Sequence, residues 1–448
     1  MPIVLATDVL VWLLVAAAAG YVIHCRRHPH LAVPWARVFR RRAAMASLVV
    51  LVGYAMLGLL DSMHFRPALE GKPGEPRAYA TEVLSVLDLG LVQLRGRSEK
   101  TYSAPLATHS FAKEQIELPG GRQVRDFPRL RFGGAHLRNE ADWAGDVVGK
   151  AAKGLAISIV AFCFVAFAGR VLKRKRPQVP WHAATWALGL LLLLAGPAIS
   201  LSSSYHVLGT DKVGQDVFYL ALKSVRTSLV IGTVTTLVLL PVGIALGTMA
   251  GYFRGWIDDA IQYLYTTLNS IPGVLLIAAS VLMMQVYIDT HPQLFPTALQ
   301  RSDLRLLFLC VILGLTSWTG LARLLRGETL KLSQLEYIQA AHAFGVGDAR
   351  ILSRHILPNV AHIVIITMVM DFSGLVLAEA VLSYVGVGVD PSTNSFGSMI
   401  NAARLEMSRE PVVWWTLATA FTFMCALVLA ANMFADAVRD GFDPRVKV

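Results

Sequence analysis

The chain has 448 residues, of which 55% are hydrophobic and 16% are charged, and its formal net charge is +11. Repeated apolar runs of about 20 residues are typical of a protein that crosses a membrane several times, and they exclude a small soluble domain. A positive charge of this size can indicate nucleic-acid binding, but the basic residues cluster beside the apolar runs, where they set helix orientation instead. We therefore expect no nucleic-acid partner.

The apolar runs lie near residues 4–24, 43–61, 151–171, 183–203, 228–250, 261–287, 306–325, 361–388 and 412–435. Each run approaches the length that a helix needs to cross a ~30 Å hydrocarbon core. The expected fold is an all-α polytopic membrane protein with about nine transmembrane helices. The first run contains Asp8 and lacks a basic region before it, so we interpret it as a retained helix, not a cleaved signal.

Two basic clusters, in residues 25–42 and 173–176, set the expected orientation. Short loops rich in arginine and lysine stay in the cytoplasm, and the chain changes sides at each helix. The N-terminus and residues 62–150 are then outside. Residues 326–360 and the C-terminus are inside.

The cysteines and histidines do not predict a metal site. Cysteines stand at positions 25, 163, 310 and 425, a spacing typical of neither a disulfide framework nor a metal knuckle. A group of ligand types occurs at His24, Cys25, His28 and His30. A basic segment at the membrane edge explains that group more simply than a metal does.

Residues 62–150 form the one sizeable soluble stretch that the sequence predicts. Gly71–Pro76 has the composition of a linker. Segments 115–118 and 122–127 flank Pro-Gly-Gly and predict a β-hairpin. A small domain and an irregular cap both fit this stretch, which contains no group of residues typical of catalysis.

A polar segment, His206 to Phe218, precedes the fifth run. Its glycines and aspartates suit a tight turn in which side chains bond the backbone before an amphipathic helix begins. The segment resembles the signature H-x-L-G-T-D-x-x-G-R-D of the peptide-permease branch of ABC importers, with Gln215 in place of the arginine. The resemblance assigns five residues to this signature turn: Gly209, Thr210, Asp211, Gly214 and Asp216. A catalytic acid pair is the alternative, but no nucleophile or metal ligand accompanies it.

The fifth and sixth runs carry two further features. Gly243, Gly247 and Gly251 recur every four residues, a spacing that lets helices approach closely in lipid. Tyr263 and Thr266 stand where the same family often has an arginine and an aspartate. We therefore expect that ion pair to be missing.

Two acidic residues, Asp371 and Glu379, lie within the eighth run, where ionisable groups are costly and indicate function. Glu379 to Gly388 resembles the family segment E-x-x-L-S-[FY]-x-G-x-G. We expect Glu379 near the external mouth of a translocation path or at a subunit contact, in preference to a proton relay. Asp371 is the second candidate for the path.

The stretch 326–360 separates two long apolar runs. Leu335, Ile338 and Ala341 can share one face of a short helix, which Gly345 should end. Asp348 is expected to cap a second short helix that Pro358 stops.

This stretch resembles the "EAA" coupling loop of ABC importer membrane subunits, through Gln339-Ala-Ala-x3-Gly345-x9-His-Ile-Leu-Pro358. The continuation to Asn359 resembles the oligopeptide, dipeptide and nickel branch, and its C-type subunit. The implied ATPase-coupling residues are Gln339, Ala340, Ala341, Gly345, Asp348, Leu357 and Pro358. Since Gln339 replaces the family glutamate, we expect docking to depend on shape more than on charge.

The resemblance covers residues 183–448 and implies a permease core there, with residues 326–360 as its coupling loop. Before it we expect an extension with two helices (1–61), the external insert (62–150), and a third extra helix with a basic loop (151–182). Gly145 to Lys150 is one residue short of a phosphate-binding loop and lacks the Ser/Thr after Lys. No ATP site, enzyme activity, catalytic residue or cofactor is therefore expected in this chain.

The resemblance implies one permease subunit of an ATP-driven, binding-protein-dependent importer in a bacterial inner membrane. Its expected partners are a second permease, two ABC ATPases, a periplasmic solute-binding protein and membrane lipid. Oligopeptides or dipeptides are the expected cargo, although nickel and other solutes use similar permeases.

Two other classes of membrane protein are alternatives: a secondary transporter and a membrane-anchored sensor. A proton-coupled secondary transporter would use Asp371 and Glu379, but it requires paired carboxylates or broken helices in two related halves, and neither pattern is found. A membrane-anchored sensor with residues 62–150 as its receptor would not need the coupling loop.

Overall fold

A computed structural model describes residues 1–69, 79–118, 122–175, 177–295 and 297–442. The first half of the chain contains the following strands and helices: β1 (Pro2–Ile3), α1 (Ala6–Arg27), α2 (Pro29–Arg40), α3 (Arg42–Asp61), β2 (His64–Phe65), β3 (Leu84–Ser85), α4 (Val86–Gly90), α5 (Val92–Arg95), β4 (Glu114–Leu118), β5 (Arg122–Asp126), α6 (Trp143–Lys175) and α7 (Trp181–Ser202). The predicted linker Gly71–Pro76 lies outside the described residues.

The second half is helical. It contains the elements α8 (Val217–Phe253), α9 (Gly255–Ser270), α10 (Gly273–Thr290), α11 (Ala298–Ser317), α12 (Thr319–Leu332), α13 (Glu336–Ala343), α14 (Asp348–Ile351), α15 (Leu357–Val385), α16 (Phe396–Glu406) and α17 (Trp415–Phe442). A single π-helical turn, Leu352–Ile356, joins α14 to α15.

Within the described ranges, nine helical segments are long and apolar enough to cross a membrane. They are Ala6–Arg27, Arg42–Asp61, Glu140–Lys175, Trp181–Ser202, Val217–Phe253, Gly273–Thr290, Ala298–Leu332, Asp348–Val385 and Trp415–Phe442. The predicted all-α fold with nine spans is therefore confirmed.

One predicted span boundary is wrong. The apolar run 261–287 is broken between α9 and α10, because Pro272 lacks an N–H and disfavours helical backbone in the residue before it. Ile271 is extended, with φ −90° and ψ 131°. The sixth span therefore begins at Gly273, and α9 is a separate amphipathic helix.

The described chain forms two compact units. The first unit comprises Met1–Val4, Phe39–Ser228 and Thr393–Met433; the second comprises Leu5–Val38, Leu229–Ser392 and the chain from Phe434. The predicted division at residues 61, 150 and 182 stays a prediction.

In the first unit, α7 packs against α3 and α6. A Cβ on Gly154 of α6 would lie 2.5 Å from the carbonyl oxygen of Gly196 in α7, so this close approach requires glycine. Strands β1, β2 and β3 form a small antiparallel sheet, and β4 pairs with β5 from Glu114 opposite Asp126. The predicted hairpin is confirmed, although its Pro-Gly-Gly turn lies outside the described residues.

In the second unit, α8 lies against α12 along the predicted glycine stripe. A Cβ on Gly247 would lie 2.7 Å from the carbonyl oxygen of Ala322, and one on Gly251 would lie 2.7 Å from that of Arg326. Close helix packing is therefore confirmed as the role of these glycines. The apolar cluster beneath the coupling stretch includes Leu325, Ile338, Ile351, Ile356 and Val360.

Candidate functional site

The predicted coupling stretch, residues 326–360, has at its centre a short helix, α13, which packs on this apolar cluster. Ile338 is buried in the cluster and Ala341 packs against it, as the predicted apolar face requires. Leu335 does not belong to that face: it precedes α13 with extended backbone and is exposed. Ile338 therefore fixes the helix to the cluster, whereas the first residues of the helix face solvent.

The end of α13 is a Schellman motif built on Gly345. The Val346 N–H donates to the carbonyl of Ala341 (3.1 Å), and the Gly345 N–H donates to that of His342 (3.0 Å). Gly345 has φ +77°, and no atom lies within 4 Å of the position of a Cβ. Its backbone conformation, not crowding, therefore favours glycine here. The predicted helix break is confirmed.

Two expectations beyond Gly345 are wrong. The N-cap of α14 is Gly347, whereas Asp348 is the first helical residue and accepts a hydrogen bond from the Tyr252 hydroxyl at the end of α8 (2.7 Å). Pro358 does not stop a helix; it lies in the first turn of α15, directly after the π-helical turn, and the helical segment continues through it.

The predicted ATPase-coupling residues differ in their exposure to solvent. Gln339, Ala340 and Pro358 are exposed, whereas Ala341 and Leu357 are half-buried against the cluster. Phe344, which the sequence reasoning missed, is 87% exposed. A large aromatic residue immediately before a helix-ending glycine could have indicated it.

An ion pair joins α12, the helix that leads into α13, to α9 of the same unit. Arg326 of α12 makes a bidentate pair with Asp258 of α9, with distances of 2.6 and 2.7 Å. The Arg326 hydrogen bond lowers the pKa of Asp258. The sequence predicts no ion pair at Tyr263, and its side chain is exposed. The acidic partner of the observed pair is Asp258, five residues earlier in the chain. This pair holds α12, which leads into α13, against α9.

The signature turn is confirmed as a turn in which side chains bond the backbone. Gly209 and Gly214 have φ +73° and +77°. Asp211 Oδ1 accepts from the N–H groups of Val213 and Gln215 (3.0 and 2.8 Å). Asp216 Oδ1 accepts from the N–H of Phe218 (2.9 Å), which caps the start of α8.

The insert contacts this turn directly within the first unit. The buried Thr210 hydroxyl donates to the carbonyl of Thr101 (2.9 Å) and accepts from the N–H of Ser103 (2.6 Å). The Trp415 indole N–H, at the start of α17, donates to the carbonyl of Thr210 (2.9 Å). The turn thus joins the insert to the first residues of α8 and α17.

A buried charged cluster lies beneath this contact. His206 Nδ1 is 2.7 Å from Asp216 Oδ2, and its Nε2 is 3.4 Å from Glu99 Oε1. Glu99 also accepts from three consecutive backbone N–H groups, of residues 131, 132 and 133, at 2.8, 2.8 and 3.1 Å. Sequence reasoning missed Glu99, because no local pattern connects it with His206.

The cluster is charged over a wide pH range. Burial opposes the charge on both groups. Nevertheless, hydrogen bonds from His206 and the backbone amides lower the pKa of Glu99 to about 2, and those with Asp216 and Glu99 raise the pKa of His206 to about 9. The contribution of Glu99 to stability is present above pH 4.5 and is lost towards pH 2; that of His206 is present below pH 6.5 and is lost towards pH 9.

The two acidic residues of the eighth run lie on one helix, α15, but not together. Glu379 is buried and accepts from the Ser383 hydroxyl (2.7 Å), whereas Asp371 is half-buried. Eight residues of α-helix separate them by about 12 Å along the axis. That separation is too long for direct proton transfer between them.

The sequence also raises two other kinds of site, a phosphate-binding loop and a metal site. The segment Gly145 to Lys150 lies inside α6 and is therefore not the loop that a phosphate site requires. In the part of the chain that the structure describes, no group of three or more His, Cys, Asp or Glu side chains could hold a metal ion.

Comparison with known proteins identifies similar sequences. A family model described as "binding-protein-dependent transport system inner membrane component" matches residues 243–448. The chain is 34% identical over 247 residues to the glutathione transport system permease protein GsiD of Pectobacterium atrosepticum, covering 55% of this chain and 74% of that protein.

Two further relatives are more distant in sequence. The oligopeptide transport system permease protein OppC of Mycobacterium tuberculosis is 29% identical over 239 residues, covering 53% of this chain and 76% of that protein. The dipeptide transport system permease protein DppC of Bacillus subtilis is 28% identical over 249 residues, covering 55% and 70%.

Proposed function

The chain belongs to the family of inner membrane components of binding-protein-dependent transport systems, the permeases of ABC importers, and we propose that its cargo is a short peptide. The names of its relatives support this cargo: they refer to oligopeptides, dipeptides and glutathione, which is itself a tripeptide. The permease is a multi-pass protein of the inner membrane.

The observation that carries the proposed mechanism is the coupling stretch. Its exposed residues Gln339, Ala340 and Phe344 stand on a helix that is fixed below by Ile338 and ended by Gly345. Such a surface suits docking of a cytoplasmic ATPase, with a second permease and an external solute-binding protein completing the importer. Closure of two ATPases around ATP would push α13.

Contacts before and after α13 in the chain would transmit its movement to the membrane helices. On one side, the Arg326–Asp258 pair holds α12 to α9; on the other, Asp348 is bonded to Tyr252 of α8. A push on α13 would therefore move the ends of three helices together, as a rigid-body transition between inward- and outward-facing states requires. ATP hydrolysis itself is assigned to the partners.

Reconstituted vesicles test this function. With both permeases, the ATPases and the receptor present, uptake of a labelled tripeptide should require ATP and every subunit, and a protonophore should leave it unchanged. Vesicles containing this chain alone serve as the control. Uptake by the chain alone under a pH gradient would instead support a secondary transporter that uses Glu379 and Asp371.

We also propose an orientation with the N-terminus and the insert outside and the coupling stretch inside. Its support is the position of the basic clusters. In a background without the native cysteines, Lys212→Cys should react with an impermeant thiol reagent in intact cells. Arg174→Cys, its matched control, should react only after permeabilisation, and the opposite pattern would refute the orientation.

A further inference from the structure

A basic surface forms where three helix ends of the first unit come together. Helix α7 packs against both α3 and α6, and the Arg40 guanidinium donates to the Gln178 side chain in the α6–α7 connection. The start of α3, the end of α6 and the start of α7 therefore lie at one end of this bundle. The exposed cations of this basic surface are Arg40, Arg41, Arg42, Arg170, Lys173, Arg174 and Lys175.

The chain segments that form this end carry no acidic residue of their own near it. Neither residues 9–60 nor residues 147–210 contain an aspartate or glutamate. In α3 the nearest acidic residue is Asp61, which 19 helical residues separate from Arg42 by about 28 Å. At physiological ionic strength, charges are screened beyond about 8 Å, so that carboxylate does not offset the basic surface.

A hydrogen-bond donor lies at the same end. The indole Nε1 of Trp181, the first residue of α7, is buried and has no hydrogen-bond acceptor among the described residues. A buried N–H without an acceptor costs free energy, and tryptophan at the end of a membrane helix lies at headgroup depth. An acceptor oxygen supplied from outside the chain would satisfy it.

We propose that this surface binds the headgroup of an anionic phospholipid, whose phosphate accepts from Trp181 while the lysines and arginines neutralise its charge. The membrane is the favoured source, because all three helices are spans whose ends must lie at the headgroup layer. Each basic side chain near an anionic membrane surface strengthens attraction by about fivefold.

Binding of fluorescent phosphatidylglycerol to the purified protein in detergent tests this site. The lipid should bind more tightly than the same probe with a phosphatidylcholine headgroup, which has the phosphate but no net charge. The triple variant Lys173→Gln/Arg174→Gln/Lys175→Gln should bind phosphatidylglycerol about a hundredfold more weakly. Trp181→Phe should also weaken binding, since it removes the indole N–H while keeping an aromatic ring at this position.

A matched control removes the same charge from exposed residues elsewhere in the unit: Lys113→Gln/Arg138→Gln/Lys212→Gln. This variant should bind as tightly as the original protein. Equal losses in both triple variants, or equal binding of the two lipids, would overturn the proposal. Full displacement by millimolar inorganic phosphate would show a site for a free anion and would overturn the lipid assignment. Thermal unfolding of each variant verifies that it is folded.

Discussion

Replacing Phe344 by alanine should weaken binding of the cytoplasmic ATPase by about 30- to 1,000-fold and abolish ATP-driven uptake, because a central aromatic anchor contributes about 2–4 kcal/mol to an interface. Phe344 is 87% exposed, so the substitution removes little from the fold of the permease itself. Pull-down of the ATPase with the membrane-extracted variant, followed by uptake in vesicles, measures both effects.

Phe164→Ala is the matched control, since Phe164 is also largely exposed but lies within the membrane span α6. It should retain the ATPase. Gln339→Glu addresses charge: the side chain is exposed, and an exposed ion pair contributes only about 0–1 kcal/mol, so this variant should bind almost normally. Strong loss from Gln339→Glu with normal binding by Phe344→Ala would show that charge, not shape, governs docking.

Glu99→Ala should destabilise the insert and the signature turn by about 3–5 kcal/mol, the usual cost of breaking a buried ion pair. The side chains of Glu99 and His206 are 4% and 2% exposed, so water cannot replace the lost carboxylate. Its removal also leaves three backbone N–H groups without their acceptor. Thermal unfolding and the rate of proteolysis within residues 79–118 would report the change.

Glu82→Ala is the control for this experiment. Glu82 also pairs with a basic residue, Arg95, but its side chain is 67% exposed, so the loss should be about 0–1 kcal/mol. The pH profile adds a second readout: the original protein should be most stable between pH 4.5 and 6.5 and lose stability towards pH 2 and pH 9. If Glu99→Ala lost as much stability towards pH 2 as the original protein does, Glu99 would not be the cause of that loss.

Features set by local pattern could be predicted from the sequence. The nine spans follow from apolar length, the end of α13 from Gly345, and the signature turn from its glycines and aspartates. Errors arose where one residue type has two uses. Pro358 can stop a helix or occupy its first turn, and Asp348 can cap a helix or begin it.

Contacts distant in the chain could not be predicted. Glu99 and His206 are 107 residues apart, and the Arg326–Asp258 pair spans 68. Each of these side chains alone resembles an ordinary surface charge, and only the fold shows which of them meet. Phe344 is a different case, because its exposure depends on Ile338 and Ala341 both facing inward.

The π-helical turn Leu352–Ile356 has a consequence for how the length of this chain can vary. A π turn closes hydrogen bonds from residue i to i+5 and so holds one residue more than an α-helical turn. Deleting one residue from a regular helix rotates everything beyond it by about 100°, which would move buried Val360 to the surface. Loss of one residue from 352–356 converts the turn to α-helix and keeps the faces of α15 in place. Deletion of Ser353, whose side chain is exposed, should therefore be tolerated here, whereas deletion of a residue within α15 should not.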